Sequence, residues 1–320
     1  MYNSCISRIF CRLVYIPAKE ECLLKPNRAF KETLPFCFTR LMIGLAVLLI
    51  CGILLLIFLT IGLLVGEDAL LILYLSWIAC AVILFRLIQH YLIYLFQIGQ
   101  HTALAELYAD MRLPANPVGY SIEQVQNRFH TAAEYYRLRE SIHSALLAIT
   151  NAHIRAGRLM PESITGFSAI LYKAFYHSYL KLIENGCLGY VTLHTEVDIG
   201  QGASESVAVF YAAWRRLMKN AIRMIVMTMG FCVLVFLLLM LIYIPLFSLI
   251  NSSFPFWTGL FFSLFTTAIL KESFWDSWLT SMVMHQYIGI SYKIPFTYEL
   301  LNRMGRVSPA CRSLVNQLKQ

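Results

Sequence analysis

One pair of metal-binding side chains in the sequence has the spacing of a helical site, Glu140-Ser-Ile-His143. Residues three apart lie on one face of a helix, and di-iron helical bundles use E-x-x-H pairs in this way. Such a centre needs two E-x-x-H motifs and two further carboxylates, whereas this chain has one copy. His90 with His101, and the loop residues 194–198, lack an established metal spacing. The pattern therefore favours ordinary surface or interface histidines, with no metal ion or cofactor.

Motifs for common enzymatic reactions are also missing from the sequence. It contains no G-x-x-x-x-G-K-[ST], G-x-G-x-x-G, G-x-S-x-G or H-E-x-x-H. These motifs bind nucleotide phosphates, bind dinucleotides, present a nucleophilic serine and bind zinc, respectively. The long apolar runs lack the interior ionisable residues that intramembrane catalysis and ion-coupled transport use. The sequence therefore predicts a protein that is not an enzyme.

The composition indicates a membrane protein. Of the 320 residues, 58% are hydrophobic and 14% are charged, and the mean hydropathy is +0.63, whereas soluble domains have about 25% charged residues. Apolar runs cover residues 41–65, 69–85, 224–244 and 254–270, and about 20 such residues cross a bilayer as a helix. We therefore predict an all-α integral membrane protein with four transmembrane helices, arranged as two hairpins with a cytosolic helical domain between them.

The distribution of Lys and Arg predicts the orientation in the membrane. These residues occur before the first run, between Arg86 and Arg223, and after Leu270, but neither short connector has one. Positively charged segments stay in the cytoplasm, so both termini and the middle segment are expected there. Compact loops and the absence of sorting signals indicate the bacterial inner membrane.

These patterns divide the chain into five parts. They are a basic cytosolic or interfacial arm (1–40), transmembrane hairpin 1 (41–85), a cytosolic helical domain (86–220), transmembrane hairpin 2 (221–270) and a cytosolic C-terminal tail (271–320).

Local patterns predict the elements within the cytosolic domain. The capping box Ser121-Ile-Glu-Gln124 predicts the start of one helix that runs to about Arg155. Residues 164–183 predict an interfacial or bundled helix rather than a fifth span. A β-branched run at 190–194 and a turn at 198–202 follow, and a further helix starts at Ser204. The nine cysteines form no C-x-x-C pair and are expected to be reduced thiols.

A cluster of aromatic and basic residues precedes the third apolar run: Trp214, Arg215, Arg216, Lys219 and Arg223. We call this set the anchor, and we predict that it contacts the membrane or a partner. Cations at an anionic bilayer surface contribute about 1 kcal/mol each, so anionic lipid or an acidic partner fits it. The simpler interpretation is that these residues only determine topology. No motif that reads nucleic acid accompanies them.

Part of the second half resembles a known family. The segments are Tyr179-Leu-Lys-Leu-Ile and Cys187-Leu-Gly-Tyr-Val-Thr-Leu-His194, with Phe210, Leu217, Asn220, Arg223, Phe274 and Asp276. Over residues 179–280 this pattern resembles the C-terminal part of choline transporter-like proteins and of uncharacterised bacterial multi-pass proteins. The chain needs an insertion near residues 198–205 and lacks that family's additional spans. The resemblance implies a related membrane scaffold, and it does not extend to a choline site.

The sequence supports one main functional hypothesis and two alternatives. The main hypothesis is a non-enzymatic subunit or scaffold of a membrane assembly, of the secretion or conjugation type. It would bind membrane or cytosolic proteins through residues 99–220. One alternative is a small-solute transporter or channel, in which four spans line a pore as a homo-oligomer. The other is a membrane-bound metal enzyme centred on Glu140 and His143.

Overall fold

The computed structural model describes residues 25–88, 94–110, 116–129, 131–156, 166–219, 221–250, 255–295 and 297–317. Throughout these ranges the regular structure is helical and contains no strand. The helices are α1 (Pro26–Glu32), α2 (Leu34–Val65), α3 (Glu67–Ile88), α4 (Tyr94–Asp110), α5 (Pro117–Arg128), α6 (Ala132–Arg155), α7 (Phe167–Leu193), α8 (Ile199–Lys219), α9 (Ala221–Ile250), α10 (Pro255–Leu270), one π-helical turn (Lys271–Trp275), α11 (Asp276–Ser291), α12 (Tyr298–Gly305) and α13 (Pro309–Gln317).

The all-helical class is confirmed, and the chain has the helices of a membrane protein. Three described helices are long and apolar enough to cross a bilayer, at Leu34–Val65, Ala69–Ile88 and Arg223–Leu249. The fourth predicted span corresponds to α10, which has 16 residues. At 1.5 Å per residue it is about 24 Å long, less than a hydrocarbon core of about 30 Å.

The chain divides into two compact units, and we call the first the apolar unit. It comprises residues 34–100 and 228–277. Helices α2 and α3 pack as a hairpin around Trp77, whose indole N–H donates to the Cys51 carbonyl oxygen at 2.9 Å. The hairpin turns at Gly66, which has a φ of +130°. Glycine adopts this conformation without steric cost, so Gly66 allows the chain to leave α2 and enter α3.

Helix α10 lies deepest in the apolar unit, and its buried residues include four hydroxyl side chains. The buried residues are Thr258, Gly259, Phe262, Ser263, Thr266, Thr267 and Ile269. Tyr74 and Thr258 share a hydrogen bond of 3.2 Å, and Tyr243 and Thr266 share one of 3.1 Å. Ser263 and Thr267 donate to carbonyl oxygens of their own helix, as hydroxyls in apolar helices commonly do.

The second unit, which we call the helical unit, comprises the described parts of residues 1–33, 101–227 and 278–320. Helices α6, α7 and α8 pack against one another, and α13 packs against α6 and α8. The residues predicted as a cytosolic tail therefore contribute α11, α12 and α13 to this unit. They do so because Met304, Cys311 and Leu314 are buried, and burial of these apolar side chains is favourable.

The predicted helix from Ser121 to Arg155 is wrong in its extent, because two helices occupy this region. Ser121 is buried inside α5, whose first turn is capped instead by the Asn116 side chain. The chain leaves α5 at Phe129 in an extended conformation. Thr131 then caps α6, and its hydroxyl accepts a hydrogen bond from the Glu134 N–H at 3.2 Å.

The predicted start of the next helix is also wrong, and the β-branched run before it, which is too short to form a sheet, is helical. The β-branched run at 190–194 forms the last turn of α7 and its C-cap, and its side chains Tyr190 and Val191 are buried against other helices. Tertiary packing thus overrides its strand propensity. The next helix, α8, begins at Ile199 rather than at Ser204, because the Asp198 carboxylate accepts from the Gly200 N–H at 2.9 Å.

Other predictions are refined or fall outside the described residues. Pro245 lies inside α9, which continues to Ile250. The helix predicted at 164–183 occurs as α7, and it is not one of the three helices suited to cross a membrane. Within the described residues no disulfide forms. The predicted features at 1–24, 89–93, 157–165 and 251–254 lie outside the described residues.

Candidate functional site

The anchor residues lie at the end of α8 and the start of α9. Arg215, Arg216 and Arg223 are exposed, and Trp214 is partly buried. The Arg215 guanidinium lies over the Trp214 ring, 5.5 Å from its centroid, a distance at which a cation is attracted by the ring. Lys219 is the last residue of α8, and its side chain is outside the described set.

Packing of the Trp214 ring fixes the direction of this surface. Its other contact is with His153 of α6, whose ring stacks on it with centroids 4.1 Å apart and an interplanar angle of 24°. The backbone of Arg216 is also held, because its carbonyl oxygen accepts from the Gln286 side chain at 3.4 Å. Leu217 is buried, so the two arginines before it face outward. The structure therefore brings Trp214 and Arg215 together and leaves the arginine side chains accessible.

A groove on the helical unit was not predicted from the sequence. It has a volume of about 650 Å³. Its lining comes from α6 (Tyr136, Arg137, Glu140, Ser141 and Ser144) and α13 (Ala310 and Ser313). The groove presents one cation, one anion and several hydroxyl groups beside apolar lining atoms, so it can contact both polar and apolar parts of a ligand. No spacing in the sequence reveals this groove, because it depends on how α13 packs against α6.

A buried ionic network lies on the adjacent face of α6. The Glu184 carboxylate of α7 accepts from the Arg139 guanidinium through one oxygen, and its other oxygen lies 2.9 Å from the His143 Nδ1 atom. The Glu184 side chain is 3% exposed. Burial lowers the pKa of Arg139, but the Glu184 carboxylate together with Tyr135 and Tyr136 outweighs this effect, so the pKa of Arg139 is raised. Burial raises the pKa of the nearby Tyr135.

The Glu140–His143 motif does not form a metal centre in this arrangement. His143 binds Glu184, and its ring meets that of His177 edge to face at 5.4 Å, whereas Glu140 lines the groove. In the described part of the chain, no three side chains of His, Cys, Asp or Glu are grouped so that they could hold a metal ion. The two residues of the E-x-x-H motif therefore have separate surroundings: His143 belongs to the ionic network, and Glu140 lines the groove.

Two other histidine clusters can be placed. His194 packs its ring on Tyr190 with centroids 4.0 Å apart, and its Nδ1 atom lies 3.0 Å from the Tyr190 carbonyl oxygen. Asp198 caps α8. His101 is buried in α4, and His90 lies outside the described residues.

Comparisons with models of protein families, with curated proteins and with solved structures find no match to this chain. The resemblance to choline transporter-like proteins therefore stays a prediction.

Proposed function

We propose that this protein is a non-enzymatic, multi-pass subunit or scaffold of a membrane assembly, of the secretion or conjugation type. Its partners would be membrane or cytosolic proteins that bind the helical unit. The observation that supports this proposal is the groove between α6 and α13. The groove is lined by residues from the domain predicted at 86–220 and from the C-terminal helix α13. Its shape therefore depends on the folded helical unit. An opening of this kind suits a peptide segment from another protein.

Recovery of partners with groove variants tests this proposal. The full-length chain would be extracted from its membrane in mild detergent and recovered together with bound proteins. Ser141→Trp and Ser313→Trp would fill the groove, and we expect at least a tenfold loss of one or more specific partners. Asn151→Trp is the matched control, because Asn151 is an exposed residue of the same helix outside the groove. Equal recovery with groove and control variants would argue against the groove as the binding site.

The proposed topology has four spans, with both termini in the cytoplasm of a bacterium. In this arrangement α10 is the fourth crossing, and Lys271 at its end reaches the headgroups. The support is the absence of Lys and Arg from residues 66–68 and 245–253. Reporter domains inserted after Glu67 and after Ser252 should be active outside the cytoplasm, whereas one fused after Gln320 should be active inside. A reporter at Ser252 that is active in the cytoplasm would rule out the second hairpin.

Transport of a small solute is the second candidate function. It is favoured by the hydroxyl side chains of α10, of which Thr258, Ser263 and Thr267 are buried in the apolar unit. Because two of these hydroxyls are satisfied within their own helix, they also fit a purely structural role. Flux of radiolabelled solutes into proteoliposomes distinguishes a transport function from a purely structural role of these hydroxyl groups. An oligomer that is intact and moves no solute would favour the scaffold.

A further inference from the structure

The anchor carries a local excess of positive charge. Between Glu205 and Glu272 the sequence contains no acidic residue, whereas it contains Arg215, Arg216, Lys219 and Arg223. Arg215, Arg216 and Arg223 are exposed. Within the described residues none of these three forms an ion pair. A ligand for this surface therefore has to supply negative charge.

Covalent continuity places the anchor near the bilayer surface. Arg223 is the first residue of the apolar stretch Arg223–Leu249, so it lies where that helix enters the headgroup region. Arg215 precedes it by eight residues, and at helical rise this separation is about 12 Å. The Debye length at physiological ionic strength is about 8 Å. Arg223 thus lies within one Debye length of the lipid phosphates, and the long side chains of Arg215 and Arg216 can extend toward them.

The arrangement of Trp214 and Arg215 favours a lipid surface. A tryptophan ring is preferred at the boundary between hydrocarbon and water, and this ring holds the Arg215 guanidinium by the cation–π contact described above. A preset guanidinium loses less side-chain entropy when it binds a phosphate oxygen. Planar guanidinium groups also bind phosphates with two parallel hydrogen bonds.

From these observations we propose that Trp214, Arg215, Arg216 and Arg223 form a binding surface for anionic phospholipid headgroups. The guanidinium groups bind the phosphate oxygens, and Trp214 packs beside the glycerol backbone. Residues that only determine topology act during insertion into the membrane, whereas this surface binds lipid after the protein has been inserted and has folded. The inference requires that Arg223–Leu249 enters the bilayer, and it is independent of the proposed protein partners.

The test uses the purified full-length protein in a neutral detergent. Its melting temperature would be followed while phosphatidylglycerol, phosphatidylcholine or soluble glycerol 3-phosphate is added. We expect stabilisation by phosphatidylglycerol at concentrations at least tenfold below those of phosphatidylcholine, and little effect of glycerol 3-phosphate. At about 1 kcal/mol for each cation, Arg215→Gln with Arg216→Gln should raise the half-saturating concentration of phosphatidylglycerol about 25-fold. Added salt should weaken the effect in the wild-type protein.

A charge-matched control separates this surface from a general effect of net charge. Arg303→Gln with Arg306→Gln removes two exposed cations from α12 and its end, and should leave the phosphatidylglycerol response unchanged. Trp214→Leu keeps all charges and should weaken the response about fivefold. Equal losses in both double variants would overturn the proposal, as would a wild-type protein that responds equally to phosphatidylcholine. If the anchor variant does not fold, the comparison of the three ligands on the wild-type protein still decides the outcome.

Discussion

Replacing Glu184 with glutamine should destabilise the helical unit, because this buried carboxylate holds α6 against α7. It accepts from both Arg139 and His143, and its side chain is 3% exposed. Removal of one member of a buried ion pair costs about 3–5 kcal/mol. The Arg139 side chain is 25% exposed, and glutamine keeps one acceptor oxygen. Solvent screening and the remaining hydrogen bond therefore reduce the expected loss to about 2 kcal/mol.

Thermal unfolding in detergent, followed by tryptophan fluorescence at a fixed scan rate, measures this loss. Each kcal/mol lowers the melting temperature by about 2–4 °C in units of 150–250 residues, so a decrease of about 4–8 °C is expected. Glu299→Gln is the matched control. It also breaks a carboxylate–arginine pair, with Arg303, but those side chains are 72% and 67% exposed. Exposed pairs contribute about 0–1 kcal/mol, so the control should melt close to the wild type.

A double variant distinguishes an unpaired buried charge from a general packing defect. Arg139→Met with Glu184→Leu removes both charges and fills the space with apolar atoms, so it should recover much of the stability lost in Glu184→Gln. The reasoning is refuted if Glu184→Gln melts like Glu299→Gln. It is also refuted if the double variant is less stable than the single one.

Two further predictions concern alkaline pH and helix packing. Burial raises the pKa of the Cys187 thiol to about 12, so the folded state keeps a proton that the unfolded chain loses above pH 9. The free energy of unfolding should therefore decrease between pH 9 and 12, by about 1.4 kcal/mol at pH 10. The melting temperature of Cys187→Ala should fall less steeply over that range, and parallel pH profiles would contradict the assignment. In the apolar unit, a Cβ atom at Gly259 would lie 3.0 Å from the Ile244 backbone, whereas one at Gly230 would meet nothing within 4 Å. Gly259→Ala should therefore cost about 1–3 kcal/mol of stability, whereas Gly230→Ala should be neutral or slightly stabilising. The same melting assay measures both variants. Similar melting temperatures would mean that α9 and α10 are not in close contact.

The class of the protein and its three longest apolar helices followed from the sequence. A run of residues without charge, as in Leu41–Val65, can satisfy its backbone in lipid as a helix, and no neighbouring segment is needed to decide this. The end of this helix at Gly66 is local in the same sense, since a glycine after such a run ends the helix by its own conformational freedom. The local sequence was therefore sufficient to predict a helix wherever the lipid environment, rather than packing against another helix, determined the structure.

Local signals were less reliable where several competed. The capping box at Ser121 predicted a helix start, but Asn116 and Thr131 provide the caps that the chain uses. Tyr190 and Val191 favour strands in isolation, yet they are buried in a helix. In the first case neighbouring residues provided the competing caps. In the second, contacts with other helices contributed more free energy than strand propensity, which amounts to less than about 1 kcal/mol for each residue.

The groove and the ionic network were decided by the tertiary structure alone. Helical periodicity shows which face of α6 is apolar, but it does not identify the helix that covers that face. Arg139 and Glu184 are 45 residues apart, and Ser141 shares a groove with Ser313 from the other end of the chain. Neither pairing is encoded in a spacing, because each depends on how α7 and α13 pack against α6.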